Sequence, residues 1–160
     1  VMNCIIRPLI STDQPFLWEM LYQALYVPKG QSVPPREVVQ LPELARYVQG
    51  WKRSGDCGFL ASDAATGQSV GAVWLRLLVG ENKGYGYVDD DTPELGMAVL
   101  PEYRGQGVGI QLLIHLLASD YGQSSISLSV SVDNPALRLY ERFGFEVVNK
   151  SEGSLTMKRG

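Results

Sequence analysis

The sequence predicts a mixed α/β fold, with helices packed on one sheet. Three features carry this expectation. Residues 58–62 and 69–78 read as strands joined through Asp63-Ala64-Ala65-Thr66-Gly67, a hairpin turn. Residues 125–132, Ser-Ile-Ser-Leu-Ser-Val-Ser-Val, alternate strictly, which is the period of a strand with one apolar face and one face of small hydroxyls. Between them, residues 94–100 form a strand that leads through a glycine-rich loop into a helix over about 107–121.

In chain order, residues 4–7 read as a first strand closed by Pro8. Ser11-Thr12-Asp13-Gln14 is a capping-box start for a helix over 16–26, which Val27-Pro28-Lys29-Gly30 stops. Residues 27–36, rich in Pro, Gly and polar side chains, read as an ordered loop, and a second helix covers 42–51. The hairpin strands follow, then a long polar connection over 80–92. On the helix over 107–121, a step of 100° per residue puts Gln111, His115 and Ser119 on one face, with Leu113, Ile114 and Leu117 opposite. Asn134-Pro135 opens the last helix, Asn as N-cap and Pro at the first position, and Gly144 sits where a C-terminal cap belongs. Residues 145–148 and 155–158 are the final strands. The order is strand, two helices, three strands, helix, strand, helix, two strands, a sandwich of helices on a sheet.

The 160 residues fit one domain, 1–160, long enough to bury a core. A hydrophobic share of 45 % with 19 % charged residues places the chain among soluble globular proteins rather than disordered ones. No apolar run reaches the length of a membrane span, and residues 1–3 lack the basic-then-apolar pattern of a secretory signal. The expectation is a cytoplasmic protein with no membrane partner. Net charge −3 and a pI near 5.1 argue against a nucleic-acid partner, which needs a basic stripe, and mildly favour a cationic substrate. Cys4 and Cys57 form no CxxC or Cys/His cluster and read as free, buried thiols. A single histidine, His115, rules out a His-rich metal site, and no metal is expected.

The strongest chemical signal is Arg104-Gly105-Gln106-Gly107-Val108-Gly109, directly after a strand and opening a helix. Glycines let backbone approach a ligand with no Cβ in the way. The first N–H groups of a helix lack intrahelical partners, and the helix dipole favours an anion there. The loop therefore points to a bound phosphate or pyrophosphate, or else to a turn made glycine-rich for packing. It is not a P-loop, which requires Gly-x-x-x-x-Gly-Lys-Ser/Thr. A dinucleotide fold would place its glycine-rich turn after the first strand of a parallel unit, and here the loop lies past mid-chain. Gly84-Tyr85-Gly86 precedes no helix and reads as a turn.

Residues 95–109, Leu-Gly-Met-Ala-Val-Leu-Pro-Glu-Tyr-Arg-Gly-Gln-Gly-Val-Gly, resemble the strand-loop-helix cofactor motif of the GCN5-related N-acetyltransferase (GNAT) superfamily. Its core, Gln/Arg-x-x-Gly-x-Gly/Ala, is matched by Arg104, Gly107 and Gly109. Residues 134–145, Asn-Pro-Ala-Leu-Arg-Leu-Tyr-Glu-Arg-Phe-Gly-Phe, are similar to the family's Asn…Leu-Tyr…Gly-Phe segment. The resemblance implies a mixed, mostly antiparallel central sheet with helices on both faces, and an acetyl-CoA-dependent N-acetyltransferase that acts on a primary amine of a small molecule or peptide. The alternative is a non-catalytic acyl-CoA-binding sensor or regulatory module. A homodimer is left open.

By the same resemblance, backbone amides of Arg104, Gly105, Gln106, Gly107, Val108 and Gly109 would hold the pyrophosphate of acetyl-CoA. Backbone at Met97, Ala98 and Val99 would pair with the pantetheine arm, Asn134 would help hold it, and Tyr140 would lie near the sulfur and protonate the departing thiolate. A Lys-like amine is protonated at neutral pH, so a proton acceptor is needed. Glu94, at the start of the strand that ends in the loop, is the candidate base. Competing readings stay open: Tyr140 as an ordinary helix aromatic, Asn134 as a cap, Glu94 as a surface residue beside Asp89-Asp90-Asp91, and that run as a solvated turn. Arg138 and Arg142 are candidates for the 3′-phosphate or for a solvated helix face. Trp18, Tyr22 and Tyr26 recur every four residues, and either pack on the sheet or wall an acceptor pocket able to hold a cation.

Overall fold

The computed structural model describes all 160 residues, Val1–Gly160. β1 (Cys4–Pro8), β2 (Cys57–Asp63), β3 (Ser69–Arg76) and β4 (Glu94–Val99) pair antiparallel in succession. β5 (Ile126–Ser131) lies parallel beside β4, and β7 (Ser154–Arg159) and β6 (Glu146–Ser151) extend the sheet antiparallel. The seven-stranded order is β1-β2-β3-β4-β5-β7-β6. A parallel neighbour needs a crossover, and α3 (Val108–Ala118) supplies it between β4 and β5. The expected turn between β2 and β3 forms, with Asp63 Oδ1 accepting the Ala65 N–H at 2.9 Å and Gly67 at φ +78°.

Helices cover both faces. α3 and α4 (Ala136–Arg142) bury one face, whose core includes Val73, Leu112, Leu116, Ile126, Phe145 and Met157. α1 (Gln14–Ala24) and the short α2 (Pro42–Ala45) cover the other, with Leu17, Met20, Val48, Leu60 and Trp74 in its core. Fully burying one Leu or Met side chain contributes about 1.5–3 kcal/mol, so these two layers dominate stability. No helix is long and apolar enough to cross a membrane. Both cysteines are free, and burial pushes the Cys57 thiol up to about 11.

Several local expectations change. The start of α1 is organised by Asp13 rather than by a Ser11 hydroxyl. Asp13 Oδ2 accepts the Ile10 N–H at 2.8 Å, and the same carboxylate holds Arg7. The helix expected over 42–51 ends at Ala45. Its next carbonyls are drawn out of the helical ladder by buried side chains: Trp74 Nε1 donates to Tyr47 O at 3.0 Å, and Arg76 Nη1 donates to Arg46 O at 3.0 Å. α3 stops at Ala118, three residues short of the expected end. Its buried stripe is Val108, Leu112, Leu113 and Leu116, while Ile114 is 52 % exposed. Leu113 thus joins the 112/116 side, and Ile114 lies beyond the arc that meets the sheet.

At α4 the helix begins at Ala136, one residue later than expected, with Pro135 directly before it, and the Asn134 side chain still caps it. Asn134 Oδ1 accepts the Ala136 N–H at 2.9 Å. At the other end Gly144, at φ +91°, donates to Glu141 O, and Phe145 donates to Tyr140 O, a Schellman pair that turns Phe145 back into the core.

Candidate active site

β4 and β5 pair only where Glu94 stands opposite Ser127. Beyond that point the strands part, and a cleft of about 1090 Å³ opens between them. Leu100 N–H reaches Val70 O on β3 at 2.8 Å, whereas Pro93 O accepts the Ser127 N–H from β5 at 3.0 Å. Strand alternation therefore turns the amide groups of Met97 and Val99 toward the cleft and those of Gly96 and Ala98 toward β3, so Ala98, expected to pair with the arm, has its backbone committed to the sheet. Val99 O is already bonded by Arg104 Nε at 3.0 Å. The far wall is the hydroxyl face of β5: Ser127 is fully buried at the closed end, and Ser129 and Ser131 line the open part.

The glycine-rich loop forms one end. Gly105 and Gly107 take φ values of +76° and +83°, which side chains resist. These turns leave the successive N–H groups of residues 105–110 without a backbone partner, at the N-terminus of an 11-residue helix. That is a row of donors aimed at an anion, with the helix dipole behind it. Arg104 anchors the loop by its side chain: besides Val99 O, it bonds Gln23 O at 3.2 Å. The Gln106 amide side chain bonds Glu102 O at 3.2 Å, so Gln106 contributes backbone rather than side chain to the row. A Cβ on Gly109 would meet Met97 Cε at 3.6 Å and Leu139 Cδ2 at 3.8 Å, so anything larger than Ala closes this corner.

α4 borders the same cleft with Asn134, Arg138, Tyr140 and Arg142. Asn134 spends its carbonyl on the cap, which leaves its Nδ2 donor for the cleft. Tyr140 is 7 % exposed, its ring set edge-on to Phe145 at 5.7 Å between centroids. Burial raises its phenol above the ordinary value, so the proton stays on.

Glu94 is placed differently from a surface glutamate. It is 1 % exposed and sits behind the cleft wall. Its Oε1 accepts Tyr47 Oη–H at 2.8 Å and the Gly86 N–H at 2.9 Å, and its Oε2 accepts the Gly84 N–H at 2.9 Å. Burial raises its pKa, against the opposing pull of Tyr47, Gly86, Gly84 and the Arg46 charge. Tyr47 lines the cleft, and its hydroxyl also accepts the Tyr85 N–H at 2.8 Å. Burial, then the Glu94 charge, raises the Tyr47 phenol, so it too stays protonated. Tyr47 is the residue that sequence reading missed. Gly84-Tyr85-Gly86, read as a turn, is a cradle for this carboxylate: a Cβ on Gly84 would fall on Glu94 Oε1 and Tyr47 Oη. Two glycines with no helix to open were the available signal, since alternate glycines call for close approach.

Trp74 positions the network. A Cβ on Gly96 would lie 2.6 Å from Trp74 Cζ2, so the indole lies flat across β4, and its Nε1 holds Tyr47 O. Tyr22 and Tyr26 line the cleft, while Trp18 packs into the α1 core. Tyr22 donates to Pro34 O at 2.6 Å, and the Arg36 guanidinium stacks on its ring at 4.6 Å. The aspartate run folds on itself: Asp89 accepts Thr92 Oγ1–H at 2.8 Å and the Asp91 N–H at 2.9 Å, and Asp90 accepts Tyr87 Oη–H at 2.6 Å. His115 is exposed on α3, its ring set edge-on to Phe59 at 5.5 Å between centroids.

Comparison with known proteins agrees with this architecture. A curated relative, the mouse Cysteine-rich protein 2-binding protein, is 38 % identical over 50 residues; that segment covers 31 % of this chain and only 6 % of the relative's length. Among solved structures, the ribosomal-protein-S18-alanine N-acetyltransferase of Escherichia coli superposes with a TM-score of 0.64 at 19 % identity, covering 98 % of this chain and 93 % of that one. The PaiA N-acetyltransferase of Thermoplasma acidophilum, solved in complex with coenzyme A, gives 0.61 at 18 % identity, covering 99 % of both chains. At these identities the likeness is one of fold. The model of the acetyltransferase (GNAT) domain matches residues 55–147, more than half of the chain and all of the cleft's β4, loop and α4 wall. The chain belongs to the GNAT acetyltransferase family.

Proposed function

We propose that this chain is an acetyl-CoA-dependent N-acetyltransferase that moves the acetyl group to a primary amine by direct attack. The observation that carries the reading is the row of unpartnered amides at residues 105–110, at the mouth of a cleft whose β4 wall also offers free amide groups. The residues present fit the donor. The amides of residues 105–109 receive the pyrophosphate, with Arg104 fixing the loop by its side chain, and the edge of β4 at Met97 and Val99 pairs with the amides of the pantetheine arm. Ala98 packs behind that edge, and Asn134 Nδ2 donates to the arm from the opposite wall. The reaction takes place in one domain, 1–160, in the cytoplasm.

In the transfer step the amine nitrogen attacks the acetyl carbonyl carbon, the C–N bond forms and the C–S bond breaks. The departing thiolate takes the Tyr140 proton, which burial keeps on the phenol until then, and the proton that the attacking nitrogen gives up as the amide forms returns to the Tyr140 oxygen, leaving amide, thiol and neutral phenol. Before attack the ammonium must lose a proton. Glu94 accepts it through Tyr47: the amine's proton passes to Tyr47 Oη while the Tyr47 proton moves to Glu94 Oε1, 2.8 Å away. The raised Glu94 pKa favours acceptance, and Tyr47 ends neutral as it began.

The test is to follow CoA thiol release and amide formation with acetyl-CoA and a panel of amines. Stoichiometric release with at least one amine is expected. Tight CoA binding with no turnover on any amine would replace this reading with a non-catalytic acyl-CoA-binding module.

A further inference from the structure

The charges around the acceptor half of the cleft bear on which amines can enter. The charged side chains lining the cleft are Arg104, Arg138 and Arg142; none is acidic. The net charge of −3 is carried elsewhere. Glu19, one turn before Tyr22 on α1, is held by Arg36 and by Gln23. Asp89 and Asp90 are occupied within their own turn. Glu94 is buried behind the cleft wall, and its bond to Tyr47 links it to the cleft.

The cleft is also lined by Tyr22, Tyr26, Tyr47, Tyr85, Leu44 and Pro34. Rings can hold a cation by their faces. Tyr22, however, already carries the Arg36 guanidinium, and its hydroxyl is fixed on Pro34 O. An apolar or aromatic body gains from burial on this surface. A second ammonium would lose water with no acidic side chain on the cleft lining to meet it.

We infer that the acceptor is a monoamine, a primary amine on an apolar or aromatic body whose only positive charge is the reacting nitrogen. This rests on the acetyl-transfer reading of the same cleft. Glu94, through Tyr47, answers the reacting ammonium, and selection against polycations comes from leaving their remaining charge unpaired on a lining without acidic side chains.

Matched amines test it. 1-Aminohexane and 2-phenylethylamine are compared with 1,6-diaminohexane and spermidine, near pH 8, where an unperturbed second amine stays protonated. Both kcat/KM and equilibrium binding to the CoA-saturated protein are measured. The monoamines are expected to exceed the polycations by about tenfold or more in both. Polycations turned over as well as or better than the monoamines would overturn the inference while acetyl transfer stands. Monoamine-selective binding without turnover would uphold the acceptor class and overturn the transfer reading. Absence of both binding and turnover would sink the two together.

Discussion

The two halves of the cleft are built from different materials. The donor half is backbone: the amides of residues 105–110, the free edge of β4 and the spare Nδ2 of Asn134 are polar groups that the fold leaves without partners. The acceptor half is side chain, and its polar groups bond one another: Glu94 to Tyr47, Gly84 and Gly86, Tyr47 to Tyr85, Tyr22 to Pro34. N–H groups at a helix N-terminus that the helix cannot partner favour an anion, so a row of them marks where a ligand completes the structure. The bonded network around Glu94 marks the opposite, a preorganised wall that meets the cleft at Tyr47. The donor half therefore answers to glycine and backbone changes in affinity, and the acceptor half to side-chain changes in rate.

The largest effect expected is on the line between the halves. Tyr140→Phe deletes one hydroxyl and keeps the ring edge on Phe145. Turnover should fall by about 10²–10⁴-fold, the usual worth of a general acid, with acetyl-CoA affinity little changed. Single-turnover kinetics checks that chemistry is the step observed. Wild-type chemistry in the variant would make Tyr140 a packing residue.

On the acceptor half, Glu94→Gln should lower the rate near neutrality by about 10²-fold, with recovery as pH rises and solvent deprotonates the amine. Tyr47→Phe should reproduce that profile, because it cuts the route while leaving the Glu94 side chain in place. If Glu94→Gln shows the loss and Tyr47→Phe does not, the proton reaches Glu94 by another path. If neither profile departs from wild type, Glu94 is not the base. Stability gives an independent reading. Burial raises the folded-state pKa of Glu94, so its stabilising contribution is complete below the unfolded value and is lost as pH rises through the folded one. The stability of wild type relative to Glu94→Gln should therefore decline as pH rises above the ordinary glutamate range, measured by denaturant unfolding.

On the donor half, Gly107→Val places a β-branched residue at φ +83°. Left-handed backbone costs such a residue about 1–2 kcal/mol, so the loop should relax and CoA affinity should drop by about tenfold or more. Calorimetry on the folded variant measures it, and unchanged affinity would remove the pyrophosphate from this loop.

The difference between the halves also explains what was legible in the sequence. The loop, the β2–β3 turn and the two caps of α4 depend on residues a few positions apart, so glycine, Asn134 and Gly144 announce them locally. The acceptor wall is made over long separations: Tyr47 meets Glu94 across 47 positions, Trp74 reaches Tyr47 O across 27, and Arg76 reaches Arg46 O across 30. No periodicity encodes such bonds. They are also what shortens α2, whose sequence alone reads as a helix over 42–51. The standing of Glu94 between surface and cleft turned on strand alternation, which allows both faces. Gly84 and Gly86, from a connection that looked like solvent-exposed turn, are what enclose it.

Asn134 joins the two modes in one side chain and gives the smallest and most selective test. Its Oδ1 accepts the Ala136 N–H, and an amide oxygen must occupy that position because a backbone N–H can only donate. The Nδ2 is then the atom facing the cleft, and the two duties can be separated by chemistry. Asn134→Asp keeps an oxygen for the cap and, lying at the start of α4, places its charge where a helix dipole favours it. It removes only the donor. Asn134→Ala removes both. The alanine variant should lose about 1 kcal/mol of stability, the ordinary cost of a missing N-cap, together with CoA affinity. The aspartate variant should unfold at wild-type denaturant concentrations yet bind CoA several-fold more weakly, since a neutral hydrogen bond is worth about 0.5–1.5 kcal/mol and its replacement repels a carbonyl. Denaturant midpoints and calorimetry on the two proteins decide between roles. If the aspartate variant binds CoA as tightly as wild type, Asn134 is a cap alone, and the pantetheine arm is held by the β4 edge without help from α4.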